Sequence, residues 1–496
     1  MTASAPHTPA TDPVRRLTQV FVAFLCGFLL VRTVALEPFG VPTGSMAPAL
    51  IGNHRTVNCP RCDSPVTVGE PGPDARAIKF DACRCPNCEQ AVDLSAAREV
   101  PGDRLMVDKT VFHARTPRRW EVAVFRCPAD PSKPYVKRVV GLPGERIEIS
   151  GGDVYADGEL LRKTMRQVRE TRVLAFALAH APAGGWSDRW LIQPLAADPK
   201  LPPLTATRAE RPADELVLHD GALHLDGVAH PEGVGLTYRH LNLDTRREEP
   251  LHDFLAYNGQ PPDRKLFARS ATAPWGDPVH DFVAAFDLEV VAGAGVFACR
   301  LTDNVESVHA DIPVGAQDAP TVQVAHDGGA APLSRPAAAL AVGSTYRVEF
   351  AFVDRRALLA IDGRDVLPPL DLPADPVGQP CKRQTARPVQ FGVRGATVVV
   401  KNFELYRDVH YLSAAKAPRG WQLPAGEFFV LGDNTSSSHD SRVWEIDGKP
   451  APGVPEGGFL GKPFLIHQPM RPARLTVNGR ERRMQSPDWA RVRWLR

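Results

Sequence analysis

The sequence predicts a mainly β protein, and three observations carry the prediction. Short β-branched or apolar runs bounded by turn residues recur from residue 104 onward. Prolines (48) and glycines (39) are too abundant for a helical bundle. Helical periodicity is nearly absent outside one apolar stretch, residues 17–36. With 496 residues and 43% hydrophobic content the chain can bury a sizeable core, and its length suggests about two to four domains. A formal net charge of +2 gives no reason to expect nucleic acid as a partner.

Residues 1–14, rich in Pro, Thr and Ala, read as a disordered tail. Residues 15–36 are the segment that suits a bilayer. Positions 20–31 carry no charge, Arg15 and Arg16 precede them, and Arg32 would have to snorkel to the interface. A span needs about 20 apolar residues, so the stretch is marginal. A cleaved signal peptide and a buried helix are the rival readings. Glu37-Pro38-Phe39-Gly40-Val41-Pro42 offers no small-x-small cleavage site, which favours an uncleaved, single-pass transmembrane helix. Arg15 and Arg16 then place the N-terminus in the cytoplasm and the body outside.

Strands are expected at 104–108, 121–125 and 136–140, with a hairpin of 146–150 and 153–156 around Gly151-Gly152. A long β-rich region, 164–412, follows. Within it 216–218 and 223–225, and 346–353 and 357–361, read as hairpins, and 282–290, 296–301, 389–393 and 397–406 as further strands. The pattern over about 275–411 is that of a β-sandwich of jelly-roll type. Residues 427–431 form one more apolar strand. The tail 471–496 holds Arg471, Arg474, Arg480, Arg482, Arg483, Arg491, Arg493 and Arg496 and reads as a solvated basic face, with anionic lipid as the rival contact.

Nine cysteines are present. Cys59-Pro60-Arg61-Cys62 and Cys85-Pro86-Asn87-Cys88 are two C-P-x-C knuckles, each able to offer two thiolates to one tetrahedral metal, so residues 53–98 read as a zinc-ribbon-like unit with a structural zinc. Disulfides are the rival, since the exported side is oxidising. Cys83 is an alternative ligand or disulfide partner, Cys26 lies in the apolar anchor segment, and Cys127, Cys299 and Cys381 read as buried or unpaired thiols.

Three segments carry chemistry. Ser45 lies in Pro42-Thr43-Gly44-Ser45-Met46-Ala47-Pro48, where Gly44 would let a substrate approach the backbone. Lys137 lies in an apolar strand ending in Gly141-Leu142-Pro143-Gly144, where burial disfavours the charged form, as a lysine general base requires. The third, Leu431-Gly432-Asp433-Asn434-Thr435-Ser436-Ser437-Ser438-His439-Asp440-Ser441-Arg442, is a dense polar loop after an apolar strand. Each alone has a bland reading: a turn serine, an edge lysine reaching water, a solvent loop.

In order, residues 42–50, Gly102-Asp103 with Val107 and Lys109, 121–128, 135–147 and 423–444 resemble the type I signal peptidases, Ser-Lys enzymes that remove leader peptides from exported proteins. The resemblance covers roughly 15–160 and 420–470. It implies a signal-peptidase-type β-sheet core (37–163 plus 413–470), interrupted by the Cys-rich insertion and by 164–412. It further implies Ser45 as nucleophile and Lys137 as general base, with the Ser45 backbone N–H and the Thr43 hydroxyl as oxyanion donors. Ser438 would orient the lysine amine, and Asp440 with Arg442 would be a salt-bridged pair holding the loop. No cofactor for catalysis is implied. The substrates would be signal peptides of exported preproteins, and the site the outer face of a bacterial cytoplasmic membrane. Thr43, Ala49, Glu145 and Thr435 depart from the family pattern without touching the dyad. The 275–411 pattern is similar to concanavalin-like or laminin-G-like sandwiches, which implies a glycan or protein ligand for it. A membrane-tethered binding protein on a degenerate protease scaffold is the reading from another class.

Overall fold

The computed structural model describes residues 13–70, 81–194, 211–212, 217–243, 245–259, 276–329, 331–379, 381–413, 420–477 and 480–495. The expected tail over 1–14 falls almost entirely outside them. The chain is mainly β, as its composition and patterning required. A 22-residue helix, Pro13–Val34, forms where the apolar stretch lies, and Phe21, Phe24 and Phe28 on it are exposed. Among the described residues no helix is long and apolar enough to cross a membrane, so the span expected over 15–36 is not confirmed.

The sheet that carries the site runs in the order Leu36–Gly40, Arg104–Asp108, Phe459–Ile466, Val122–Cys127, Asp130–Gly141, Glu427–Leu431, Gly453–Pro455. Its antiparallel pairs bury apolar side chains on both faces. One cluster holds Val41, Met46, Leu50, Leu105, Val107, Val124 and Ile466; a second holds Phe125, Val139, Phe428, Val430, Trp444 and Phe459. The hairpin Arg146–Ser150 with Asp153–Ala156 forms with Gly151 and Gly152 at positive φ in the turn.

Within the inserted region 164–412, the sandwich begins earlier than the 275–411 pattern indicates. Strands Val173–Ala177, Ala222–Asp226 and Val234–Tyr238 all pair with Val389–Arg407. They supply Phe176, Leu223, Leu236 and Tyr238 to one core with Phe286, Phe391 and Phe403. The runs expected as 282–290 and 296–301 are one strand, Phe282–Thr302, and 389–393 with 397–406 are another, Val389–Arg407. The glycines that break each hydrophobic pattern sit at register shifts where these two long strands bend together. The hairpin Thr345–Val353 with Arg356–Ile361 turns at Asp354-Arg355.

The two insertions share a core: Cys59, Cys62, Cys85 and Cys88 pack in the cluster that includes Phe176, Trp186 and Trp190 of the sandwich. The arginine-rich end is not a loose tail. Met470–Val477 and Arg480–Pro487 form a hairpin, Arg493–Trp494 pairs with Phe459–Ile466, and Arg491 bonds the Asp103 carboxylate at 2.7 Å. Lys163, buried where the catalytic core meets the sandwich, pairs with Asp354 at 2.9 Å and Asp408 at 2.7 Å.

Phe391 stacks against or meets edge-on Trp190, Phe286, Phe297 and Phe403 and is fully buried. Phe391→Ala is expected to cost the sandwich about 3–5 kcal/mol. Denaturant unfolding followed by tryptophan fluorescence checks this, and a loss under about 1 kcal/mol would contradict the packing.

Candidate active site and metal centre

The Ser45 loop leaves the sheet after Leu36–Gly40 and runs into a separate three-stranded sheet of the Cys-rich unit at His54–Asn58. Val41, Met46 and Leu50 anchor it in the core, while Ser45 is half-buried and Thr43 exposed. Lys137 stands in Asp130–Gly141, directly across from Ala123, whose small side chain leaves room for the lysine. The Lys137 Nζ is in hydrogen-bond contact with the Ser45 Oγ, joining residues 92 positions apart. Lys137 is 3% exposed. Burial is the largest influence on it and depresses the ammonium; Asp440 pushes the other way and Arg442 adds to the depression, leaving the lysine at about 8.

Asp440 and Arg442 form the expected pair, with Nε donating to Oδ1 at 2.8 Å and an Nη to Oδ2 at 2.7 Å. Burial opposes the Asp440 charge, but Arg442 and the Gly432 N–H hold its carboxyl below the usual range. Arg442 also donates to Leu412 O and Thr435 Oγ1, both at 2.8 Å, so it ties the loop to the end of the sandwich insertion. Ser438 is 1% exposed and close to Gly432 and Ser45: a Cβ on Gly432 would lie 2.2 Å from Ser438 Oγ and 2.4 Å from Ser45 O. The Ser438 hydroxyl makes no hydrogen bond, so the contact with the amine expected of it is not formed here.

Three features escaped the sequence reading. Arg138 forms a buried, two-pronged pair with Asp433 at 2.8 and 2.7 Å and donates to Trp120 O at 2.8 Å. Asn434 donates from its backbone to Ser45 O at 3.1 Å and from its side chain to Gly44 O at 2.9 Å. Asn258 of the sandwich bonds Asn434. Only the adjacency of Lys137-Arg138 and of Asp433-Asn434 in polar-for-apolar positions hinted at the first two.

Cys59, Cys62, Cys85 and Cys88 are all buried, and their sulfurs lie within 4.8 Å of one another. None is disulfide-bonded. The knuckles have matching turns: Asp63 N donates to Cys59 O and Glu89 N to Cys85 O, each at 2.9 Å, with Asp63 and Glu89 at positive φ. Four converging thiols on paired knuckles fit tetrahedral zinc. Asn87 Nδ2 lies 3.7 Å from Cys62 Sγ, in position to hold that sulfur. Cys83 is buried outside the four, with its thiol pushed up to about 11 by burial, and Cys381 is exposed. Asp281, Asp354 and Asp408 also converge, but the Lys163 ammonium already sits against the last two.

Since an unfolded lysine titrates near 10.5 and Lys137 near 8, the unfolded chain binds more protons between those values. Stability is therefore greatest above the upper value and falls as pH drops towards the lower. Lys137→Met abolishes that loss. Relative to the parent, its melting temperature should rise as pH falls from about 10.5 to about 8 and then hold its lead. A gap that does not vary with pH would contradict a neutral buried lysine.

The family model described as "Signal peptidase, peptidase S26" matches residues 92–209 and 375–467. These segments hold Lys137, Ser438, Asp440 and Arg442, and they leave out Ser45 and most of the sandwich. Signal peptidase I of Rickettsia massiliae (strain Mtu5) is 28% identical over 144 residues, 29% of this chain and 43% of that protein. Signal peptidase I of Pseudomonas fluorescens is 31% identical over 134 residues, 26% of this chain and 34% of that protein. The chain thus spans less than half the length of these relatives. Among solved structures, a carbohydrate-binding module from Bacillus subtilis covers 25% of this chain and 74% of its own, at 14% identity and a TM-score of 0.20.

Proposed function

We propose that the protein is a signal peptidase I, a serine endopeptidase cutting signal peptides from exported preproteins with a Ser45–Lys137 dyad. The observation that carries this is the buried contact between Lys137 Nζ and Ser45 Oγ. A lysine near 8 is neutral in an appreciable fraction at working pH, so its lone pair can take the Ser45 proton as Oγ attacks the scissile carbonyl carbon. The oxyanion would be met by the Ser45 N–H and the Thr43 hydroxyl, each such donor contributing about 3–4 kcal/mol to the transition state. Collapse breaks the C–N bond, and the departing amine takes the proton from Lys137. Water, deprotonated by the now neutral Lys137 amine, then attacks the Ser45 ester carbonyl, and as the ester C–O bond breaks the proton passes from Lys137 to Ser45 Oγ. The relatives' names and the matched segments around Lys137 and 433–442 support this reading.

The substrate is an extended segment with small residues at the first and third positions before the cut, lying along a strand edge. The exposed phenylalanines of the Pro13–Val34 helix suit attachment to a bilayer, which would raise the effective concentration of emerging cleavage sites.

Ser45→Ala and Lys137→Ala should each abolish cleavage of a preprotein by the detergent-solubilised protein, a drop of about 10³-fold or more. The parent's kcat/KM should rise with pH through an inflection near 8, because the base works only when deprotonated. Cleavage that survives both substitutions would sink the mechanism.

The thiol cluster is assigned a structural zinc. Metal analysis should give one zinc per chain, lost in Cys85→Ser. Replacement or chelation should lower the melting temperature of the insertions, with no inflection of the pH profile moved.

A further inference from the structure

The two insertions meet the catalytic sheet at the nucleophile loop itself. The sandwich sends in a short turn, Ala256–Asn258, whose Tyr257 is 7% exposed. The Tyr257 ring lies between two glycines from different units. A Cβ on Gly44 would come within 1.9 Å of its Cε1, and a Cβ on Gly69 of the Cys-rich unit within 2.2 Å. Its hydroxyl donates to Asn53 O at 3.1 Å, at the far end of the nucleophile loop. Gly44 therefore admits a ring of the protein's own sandwich, where the sequence suggested an approaching substrate.

Asn258, next in the chain, forms a reciprocal amide pair with Asn434. Asn258 Nδ2 donates to Asn434 Oδ1 at 2.9 Å, and Asn434 Nδ2 donates back to Asn258 Oδ1 at 2.7 Å. A further bond from Asn258 Nδ2 to Ser436 Oγ at 3.0 Å fixes its orientation. Asn434 Nδ2 spends its other hydrogen on Gly44 O at 2.9 Å. That carbonyl belongs to the same planar peptide as the Ser45 N–H and points the opposite way. Holding the oxygen sets the plane, and the plane sets where the N–H aims.

We propose that Asn258 is a positioning residue: through Asn434 and the Gly44–Ser45 peptide, the inserted sandwich aims the Ser45 N–H at the developing oxyanion. Without Asn258, Asn434 can turn its amide, Gly44 O loses its donor, and the peptide is free to tilt. Displacements of about 1 Å at such a group cost up to about 100-fold in rate. This inference rests on Ser45 being the nucleophile.

The test uses the full chain in detergent with a synthetic preprotein. Asn258→Ala, and the milder Asn258→Ser, should lower kcat about 10- to 100-fold with KM within about twofold and the pH inflection unmoved. Adding Asn258→Ala to Asn434→Ala should change kcat less than about twofold, because one acts through the other. Amide hydrogen exchange over residues 41–50 should speed up at least about tenfold in both single variants, with an unchanged melting temperature. A kcat within twofold of the parent, fully multiplicative effects of the two substitutions, or unaltered exchange would each overturn it. If the parent cleaves nothing, the signal peptidase reading fails, while the exchange arm still decides whether Asn258 holds the loop.

Discussion

Burying a lysine amine beside a serine hydroxyl is the demand that organises this structure. An ammonium taken out of water costs several kcal/mol, and the chain meets that cost by letting the group lose its proton. That solution holds only while the surroundings stay closed and electrically balanced. Asp440, the carboxylate that acts most strongly on Lys137, would by itself draw the proton back onto it, but it is pinned by Arg442 on two oxygens and by the Gly432 N–H. The carboxylate is thereby neutralised by its own partner, and burial decides the lysine's state. The loop over 432–442 is thus less a set of catalytic groups than an insulated wall.

The same demand explains the two insertions. The core strands that carry Lys137 and the polar loop are tied to one another by register, but the Ser45 loop is a long excursion from the edge strand Leu36–Gly40 and has no sheet neighbours of its own at residue 45. Such a loop needs contacts from elsewhere to hold the Ser45 hydroxyl at a fixed distance from Lys137. Here they come from Asn434 on one side and from the sandwich turn on the other, while the Cys-rich unit backs Tyr257 through Gly69. The knuckles and the sandwich share a hydrophobic core, so a metal at the thiols would stiffen the platform on which that turn rests.

How much of this could be read from the sequence follows from the range of the interactions. The hairpin at Gly151-Gly152, the strand Glu427–Leu431 and the segments bearing Ser45, Lys137 and Asp440 with Arg442 are local patterns, and local patterns survive in a sequence. Two strands of 21 and 19 residues were read as four because bends at register shifts need glycines, which look like turns in one dimension. The arginines after residue 470 suggested a solvated face, yet arginine stems also cover sheet surface, and those at 491 and 493 fold back onto the core. Tyr257 and Asn258 left no trace, since nothing about a Tyr-Asn pair in a loop indicates which glycine or amide lies against it once the chain has closed.

Register is the last step that ties these together. Lys137 and Arg138 are adjacent, so the pleat sends them to opposite faces of one strand. Ala123 opposite Lys137 and Val122 opposite Arg138 fix the pairing on one side, and Leu431 opposite Arg138 fixes it on the other. On one face the cation is made neutral by burial and meets Ser45; on the other it stays charged and is matched by Asp433. A slip by one residue would drive the permanent guanidinium into the serine site and take it away from Asp433. That strands a buried guanidinium, so the Arg138–Asp433 pair discriminates against the wrong register alongside the apolar pattern.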